Sequence, residues 1–189
     1  MTLPDDVDTL DAARVYLRRI TPEDAPALFG IFSDPQVMRY WSRPAMTAVA
    51  EAEKLVGDIL ADYASGDALP LGIVRASDEV LLGNCTLFHF HPASRRAEIG
   101  YALACAFWGH GYMHEALQTL LAFAFGRLDL NRLEADIDPR NAASGRALDR
   151  LGFVAEGLLR QRWIVNGEVS DSRLYGLLRN DWRRVADED

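Results

Sequence analysis

Apolar residues recur along this chain at two spacings, which divide it into strand and helix segments. RVYLRRI (14–20) has the pattern of an opening strand. Thr21 followed by Pro22 is typical of a helix start, and a helix is predicted from there to about Ser33. A second helix is predicted where apolar positions fall on one helical face, at Ala48, Ala52, Leu55, Val56, Ile59, Leu60 and Tyr63.

The middle of the chain predicts consecutive strands followed by a helix. Residues 69–76, 80–91 and 97–103 form apolar runs that are separated by short turns, so they are predicted to be antiparallel strands. The apolar spacing becomes helical from about 111 to 126. In 132–138 apolar residues alternate with acidic ones, which predicts another strand.

The last part of the chain carries clear helix and hairpin signals. Asn141 stands where an N-cap is expected, a short helix is predicted to run to Leu151, and Gly152 is at a typical C′ position. Asn166-Gly167 is a strong hairpin signal between two strands. The order of elements predicts an α+β fold, with a mostly antiparallel sheet and helices on its faces.

Composition narrows the class of protein. The 189 residues suit a single domain, and the formal net charge of −8 argues against a nucleic-acid partner. No apolar run approaches the roughly 20 residues needed to span a bilayer, so no membrane association is expected. The acidic first residues are unlike a signal peptide, and the two cysteines, Cys85 and Cys105, fit a reducing cytoplasm.

A pair of glycines, Gly109 and Gly111, comes just before the helix of 111–126. Glycine inside a helix costs ~1 kcal/mol relative to alanine, so a pair at a helix entrance predicts a sharp turn or a backbone that lies bare against a ligand. Free N–H groups at a helix start attract anions, which favours a phosphate site. The alternative is a tight strand-to-helix turn and nothing more. The dinucleotide pattern GxGxxG is absent, because His114 stands where its third glycine would be.

Two motifs resemble those of the GCN5-related N-acetyltransferase (GNAT) superfamily. WGHGYM (108–113) resembles the loop that holds the pyrophosphate of acetyl-CoA, and NAASGRALDRLGF (141–153) is similar to the N-x-x-S/A…LGF segment. The tryptophan, the methionine and the closing NG hairpin are similar to the ribosomal-protein-alanine/serine N-acetyltransferases. The resemblance covers about 14–180. It implies one N-acetyltransferase domain over residues 1–189, with a three-layer fold, splayed and bulged central strands, and a monomeric or homodimeric state.

The resemblance also implies how acetyl-CoA binds, without a metal. The strand before the glycine loop would splay open at a bulge, and its backbone at Tyr101, Ala102 and Leu103 would pair with pantetheine. The loop that would hold the pyrophosphate is Trp108, Gly109, His110, Gly111, Tyr112 and Met113. Asn141 and Ser144 would lie near the thioester sulfur. Trp108 replaces the usual Gln or Arg, which removes one polar side chain that would face the phosphates.

The implied chemistry is direct attack of an amine on the thioester, which needs a route for the amine proton and a donor for the leaving sulfur. Leu148 stands where many relatives carry a proton-donating tyrosine, so Ser144 becomes the candidate acid. Its alternative is a residue of the first helical turn whose hydroxyl serves the backbone. Trp163 replaces a carboxylate of some relatives, and Glu98 is the candidate base. The alternative for Glu98 is an ordinary ion pair with Arg95 or Arg96.

The acceptor is left open by the sequence. A protein N-terminus, a polyamine, an amino acid and an antibiotic amine all remain candidates, and Met38-Arg39-Tyr40-Trp41 is expected to form part of the acceptor lip. Most of the nearby aromatic residues are expected to be core: Phe29, Phe32, Tyr40, Trp41, Phe88, Phe90, Trp163 and Tyr175.

Two rival functions are weighed against acetyl transfer. A non-catalytic acyl-CoA sensor would have the same fold. A zinc site would draw on the four histidines and two cysteines, which are His89, His91, His110, His114, Cys85 and Cys105.

Overall fold

The computed structural model describes residues 9–182, which form a central sheet with helices on both faces. The helices are α1 (Ala25–Phe32), α2 (Pro35–Met38), α3 (Val49–Ser65), α4 (Tyr112–Gly126) and α5 (Ala142–Arg150). The strands are β1 (Thr9–Asp11), β2 (Val15–Arg19), β3 (Ala68–Arg75), β4 (Leu81–His91), β5 (Arg96–Leu103), β6 (Arg132–Ile137), β7 (Val154–Val165) and β8 (Glu168–Leu178). No helix within 9–182 combines the length and apolar character needed to cross a membrane. The predicted α+β fold is confirmed.

The sheet has eight strands in the order β1-β2-β3-β4-β5-β6-β8-β7. Every neighbouring pair is antiparallel except β5 and β6, which run parallel. The connection between those two strands contains α4, as expected for a parallel crossover. The mixed, mostly antiparallel sheet is therefore as predicted.

β5 and β6 pair over only three residues before they separate. Arg96 to Glu98 face Arg132 to Glu134, and no pairing between the two strands follows in the described chain. Beyond that point β5 stays paired with β4 as far as Leu103, while β6 stays paired with β8. The central strands splay as predicted, and one edge of β5 is left without a strand partner.

A bulge accompanies the splay, but it lies in β4 rather than in β5. The β4–β5 register shifts between Phe88 and His91, where two residues of β4 face one of β5. His89, inside the bulge, has a φ of 49°. Because a bulge redirects side chains, it changes which group of β4 meets β5.

Two apolar clusters hold the layers together, one on each face of the sheet. α4 packs Leu117, Leu120 and Leu121 onto one face, and α1 and α3 pack residues such as Phe32 and Val56 onto the other. Within α3 the prediction was wrong for Leu60, whose side chain is exposed.

Two elements and one boundary were not predicted from the sequence. β1 was not predicted. α2 occupies the start of the predicted loop, where the Asp34 side chain accepts a hydrogen bond from the Gln36 N–H at 2.8 Å. β7 begins at Val154, and nearly all of its residues are exposed because it is an edge strand. An edge strand without a buried face lacks the alternation that would reveal it.

Candidate active site

A cavity of about 370 Å³ opens where β5 and β6 separate. β5 contributes Glu98 and Tyr101, β6 contributes Asp136, and the first turn of α5 contributes Ser144. Tyr40, from the loop after α2, lies at the lip. The cavity therefore brings together the two side chains that the sequence analysis assigned to the reaction, Glu98 and Ser144.

The Ser144 hydroxyl is bonded to a second hydroxyl rather than to the backbone. Its Oγ lies 2.7 Å from the Tyr101 phenol oxygen. Burial raises the pKa of Tyr101 to about 12, against an opposing effect of the Ser144 hydrogen bond, so the phenol keeps its proton at neutral pH. The resemblance gave a role only to the backbone of Tyr101, and nothing in the sequence indicated this contact of its side chain.

Asn141 acts as the predicted N-cap of α5. Its Oδ1 accepts the N–H of Ser144 at 3.1 Å, which fixes the first turn and with it the Ser144 side chain. Leu148, one turn further along, is fully buried in the core. The hydroxyl of Ser144, and no group at position 148, thus faces the cavity from α5.

Glu98 pairs with His89, and not with Arg95 or Arg96 as the alternative reading of this residue required. His89 Nδ1 lies 3.1 Å from Glu98 Oε1, whereas both arginines pair with other carboxylates at 2.8 and 2.7 Å. The bulge in β4 accounts for this difference, since it brings His89 to the site. Glu98 lines the cavity and carries an ionisable neighbour there.

The glycine loop has the geometry that the sequence predicted. Gly109 and Gly111 have φ values of 77° and 82°, which side chains rarely tolerate, and Gly111 is the N-cap of α4. Among the described residues, no side chain caps the N-terminus of α4. Its first N–H groups therefore remain available to an external acceptor.

Arg14 lies against this loop, which the sequence analysis did not foresee. Its Nη1 donates to the His110 carbonyl at 3.0 Å, and its Nη2 is 3.1 Å from where a Cβ on Gly111 would stand. Glu115 holds the arginine through its Nε at 2.8 Å and its backbone N–H. Burial acts to raise the pKa of Glu115, but the Arg14 hydrogen bonds outweigh it and hold that pKa below its usual value.

Trp108 connects the glycine loop to the end of β5. Its indole Nε1 donates to the Leu103 carbonyl at 2.7 Å. This carbonyl is one of the three backbone positions that the resemblance assigned to pantetheine. Trp108 therefore has a structural role at Leu103. The other two positions that the resemblance assigned to pantetheine, Tyr101 and Ala102, make no hydrogen bond with Trp108.

The prediction that most of the aromatic residues belong to the core is confirmed, although several are only partly buried. Phe32 and Tyr175 are buried, and Phe29, Trp41 and Phe90 are partly buried and pack against the two core clusters. Four line the cavity: Tyr40, Trp41, Phe88 and Trp163. Because aromatic residues at core-like spacing also suit a half-open cleft, the pattern alone does not separate the two.

The zinc alternative requires a cluster that the described chain does not form. Within residues 9–182 no group of three or more His, Cys, Asp or Glu side chains is arranged to hold a metal ion. His89 contacts Glu98, and His91 accepts the Ser94 N–H at 3.2 Å. Both cysteines are free thiols, and burial raises the pKa of Cys85 to about 12.

Comparison with known proteins agrees with this geometry. The acetyltransferase (GNAT) domain model matches residues 14–154. N-acetyltransferase p20 of Bacillus licheniformis, itself uncharacterized, is 34% identical over 176 residues, which cover 93% of this chain and 99% of that protein. The [ribosomal protein uS5]-alanine N-acetyltransferase of Escherichia coli is 27% identical over 121 residues, or 64% of this chain and 62% of that protein.

A solved structure shares the fold. RimL, a ribosomal L7/L12 alpha-N-protein acetyltransferase in complex with coenzyme A, matches with a TM-score of 0.82 at 24% identity, covering 90% of this chain and 97% of that chain. The chain therefore belongs to the GNAT family of acetyltransferases, and its homologues include ribosomal-protein N-acetyltransferases.

Proposed function

We propose that this GNAT protein transfers the acetyl group of acetyl-CoA to a primary amine by direct attack on the thioester. The observation that carries the proposal is the edge of β5 that β6 leaves unpaired. This edge runs from the cavity with Glu98 and Ser144 to the glycine loop. An extended ligand along it would have one end at an anion site and the other at reactive side chains.

The glycine loop and the β5 edge suit the two ends of acetyl-CoA. The uncapped N-terminus of α4, with the positive end of its dipole, favours a pyrophosphate between Gly109 and Met113. Arg14 adds a positive charge beside Gly111. The backbone of β5 at Tyr101 and Ala102 would form hydrogen bonds with pantetheine, as an additional strand would.

Ser144 is the proposed donor to the leaving sulfur. Because the Tyr101 phenol is protonated at neutral pH, it can donate to Ser144 Oγ, which leaves the Ser144 proton free to point into the cavity. As the carbon–sulfur bond breaks, the thiolate takes that proton, Tyr101 passes its own proton to Ser144, and water in the cavity returns a proton to the Tyr101 phenol. Asn141 holds Ser144 in place through the cap.

Glu98 is the proposed acceptor of the amine proton, directly or through one water. His89 is within hydrogen-bond distance and gives the proton an onward path to solvent, since its side chain is mostly exposed. The demand on this base is modest for an α-amine, whose pKa of ~7.7–8.0 leaves roughly a tenth neutral at pH 7. A lysine side chain, with a pKa of ~10.4, would need much more help.

The proposed activity is tested by an acceptor screen that measures release of free CoA thiol. The panel contains peptides with free N-termini, amino acids, polyamines and aminoglycoside antibiotics, each with acetyl-CoA. We expect turnover with α-amines. The value of kcat/KM should rise with pH, and the apparent pKa of this profile should be close to that of the free amine.

Two results of the screen separate the alternatives, and one variant tests the proposed base. Binding of acetyl-CoA without turnover of any amine would favour the non-catalytic sensor. A strong preference for lysine side chains over N-terminal amines would contradict the α-amine acceptor. Glu98→Gln should lower kcat/KM for every accepted amine, because an amide side chain cannot accept the amine proton.

Arg14→Gln is expected to weaken acetyl-CoA binding about tenfold, because it removes a charge beside the proposed pyrophosphate. Calorimetric titration with acetyl-CoA and with acetyl-pantetheine would check this, since the second ligand has no pyrophosphate. Arg150→Gln, at an exposed position in the last turn of α5, is the matched control. An equal loss for both ligands would mean that Arg14 only supports the loop.

A further inference from the structure

A second pocket, of about 250 Å³, adjoins the active cavity on its acceptor side. The two share part of their lining, namely Tyr40, Trp41, Asp138 and Ser170. The second pocket lies between the loop after α2 and the β7–β8 hairpin. We call it the outer pocket. A molecule whose amine reaches the cavity would therefore extend into it.

The two spaces differ in charge. The inner cavity carries three carboxylates, Glu98, Asp136 and Asp138, and one arginine, Arg162. The outer pocket carries three arginines and two carboxylates, which are Arg39, Arg43, Arg140, Asp138 and Glu168. In a chain of net charge −8, a wall with an excess of arginine stands out.

Both carboxylates of the outer pocket are already paired with arginines of the same pocket. Arg140 binds Asp138 at 2.6 Å and Glu168 at 2.6 Å, and the Arg140 hydrogen bonds outweigh burial and hold the pKa of Asp138 below its usual value. Arg39 reaches Glu168 only at 3.3 Å, from a half-exposed side chain. Arg39 is therefore weakly held.

Arg43 has no such balance. Its guanidinium lies over the rings of Phe32 at 4.7 Å and Trp41 at 5.8 Å, and it makes no ion pair with any residue of 9–182. Burial lowers its pKa, and the carboxylate that opposes this is Glu51. Glu51 acts on Arg43 only at a distance, because it makes no ion pair with it and its carboxylate accepts hydrogen bonds from Thr47 and Ala48 at the start of α3.

A partly desolvated guanidinium with no carboxylate in contact is a favourable place for an anion, because folding has already removed part of its hydration shell. We propose that Arg43, assisted by Arg39, binds a carboxylate of the acceptor. This inference rests on the proposed function and narrows its acceptor class. The substrate is then an amine that carries a carboxylate several bonds from the reacting nitrogen, and a polyamine is disfavoured.

The test compares matched acceptors in steady-state acetylation. Synthetic peptides with a free N-terminus carry Asp at the second, third or fourth position, and each is paired with the same peptide carrying Asn. Free aspartate, free asparagine and spermidine complete the panel. The wild type is expected to prefer one Asp peptide over its Asn partner by about tenfold in kcat/KM, which corresponds to about 1.4 kcal/mol.

The role of Arg43 is tested by the Asp/Asn ratio, which is kcat/KM for the Asp peptide divided by kcat/KM for the matching Asn peptide. Because the ratio is taken within each variant, a change in overall activity cancels. In Arg43→Gln the ratio should fall to about one, and in Arg39→Gln it should fall partway. Arg150→Gln should keep the full ratio. Preference for free aspartate over its amide would identify an amino acid rather than a peptide as the source of the carboxylate.

Two results would overturn the inference while leaving the proposed function intact. One is a wild-type enzyme that turns over Asn peptides or spermidine as well as Asp peptides. The other is an Asp/Asn ratio that survives Arg43→Gln. If no amine at all is acetylated, the proposed function fails, and the inference about its acceptor fails with it.

Discussion

Substitution of Gly111 by Asp is expected to abolish the rise in melting temperature that acetyl-CoA gives the wild-type protein. A ligand that binds only the native state raises its stability, so the shift reports binding. The new carboxylate would stand beside Arg14, whose Nη2 is 3.1 Å from the added Cβ, and would neutralise the charge offered to the pyrophosphate. Repulsion between the carboxylate and the phosphates would add to the loss.

Gly111→Asn is the control for backbone strain. The φ of 82° at Gly111 disfavours any side chain, but Asn and Asp tolerate such values better than other residues and have nearly the same shape. Both variants should lose similar stability without ligand, measured by thermal unfolding. Only Gly111→Asp should lose the shift completely. If its shift equals that of the wild type, the pyrophosphate does not bind at this loop.

Ser144→Ala is expected to lower kcat by about 10–100-fold with little change in acetyl-CoA affinity. A thiol has a pKa of ~8.5, so the thiolate leaves tolerably well unprotonated, and the loss should lie at the lower end of the ~10²–10⁴-fold typical of general acid catalysis. The fold should be retained, because the α5 cap uses the backbone N–H of Ser144 and the Asn141 side chain. Steady-state kinetics beside calorimetric binding would check both parts.

Tyr101→Phe tests whether Tyr101 acts through Ser144, as the proposed relay requires, or independently of it. It should lower kcat by about fivefold, as for the loss of a hydrogen bond worth ~1 kcal/mol, and the double variant should be no slower than Ser144→Ala alone. Fully multiplicative effects would show that the two hydroxyls act independently. A kcat of Ser144→Ala within twofold of the wild type would remove Ser144 from the reaction.

The features that the sequence predicted best are those set by a few neighbouring residues. Asn141 caps α5, and Gly111 starts α4 with the positive φ that only glycine adopts easily. Asn166 and Gly167 form the tight turn of the β7–β8 hairpin with φ values of 49° and 82°. Each of these depends on local backbone chemistry, which a short segment of sequence contains in full.

The features that it missed depend on contacts between distant segments. Arg14 and Glu115 are separated by 101 residues, and no local pattern indicates that they meet at the glycine loop. The partner of Glu98 follows from a bulge that brings His89 beside it, and periodicity does not reveal a bulge. Tyr101 and Ser144 meet only because β5 and α5 border the same cavity.

The short parallel pairing of β5 with β6 also bears on how the sheet opens. The two halves of the sheet, β1 to β5 and β6 to β8, are joined by a ladder of only three residue pairs. We call this short ladder the seam. Opening it needs little free energy, so local unfolding and amide hydrogen exchange should begin there. A cosubstrate that forms hydrogen bonds along the free edge of β5 would close the seam, so the catalytic domain would become a more cooperative folding unit when it is loaded with acetyl-CoA.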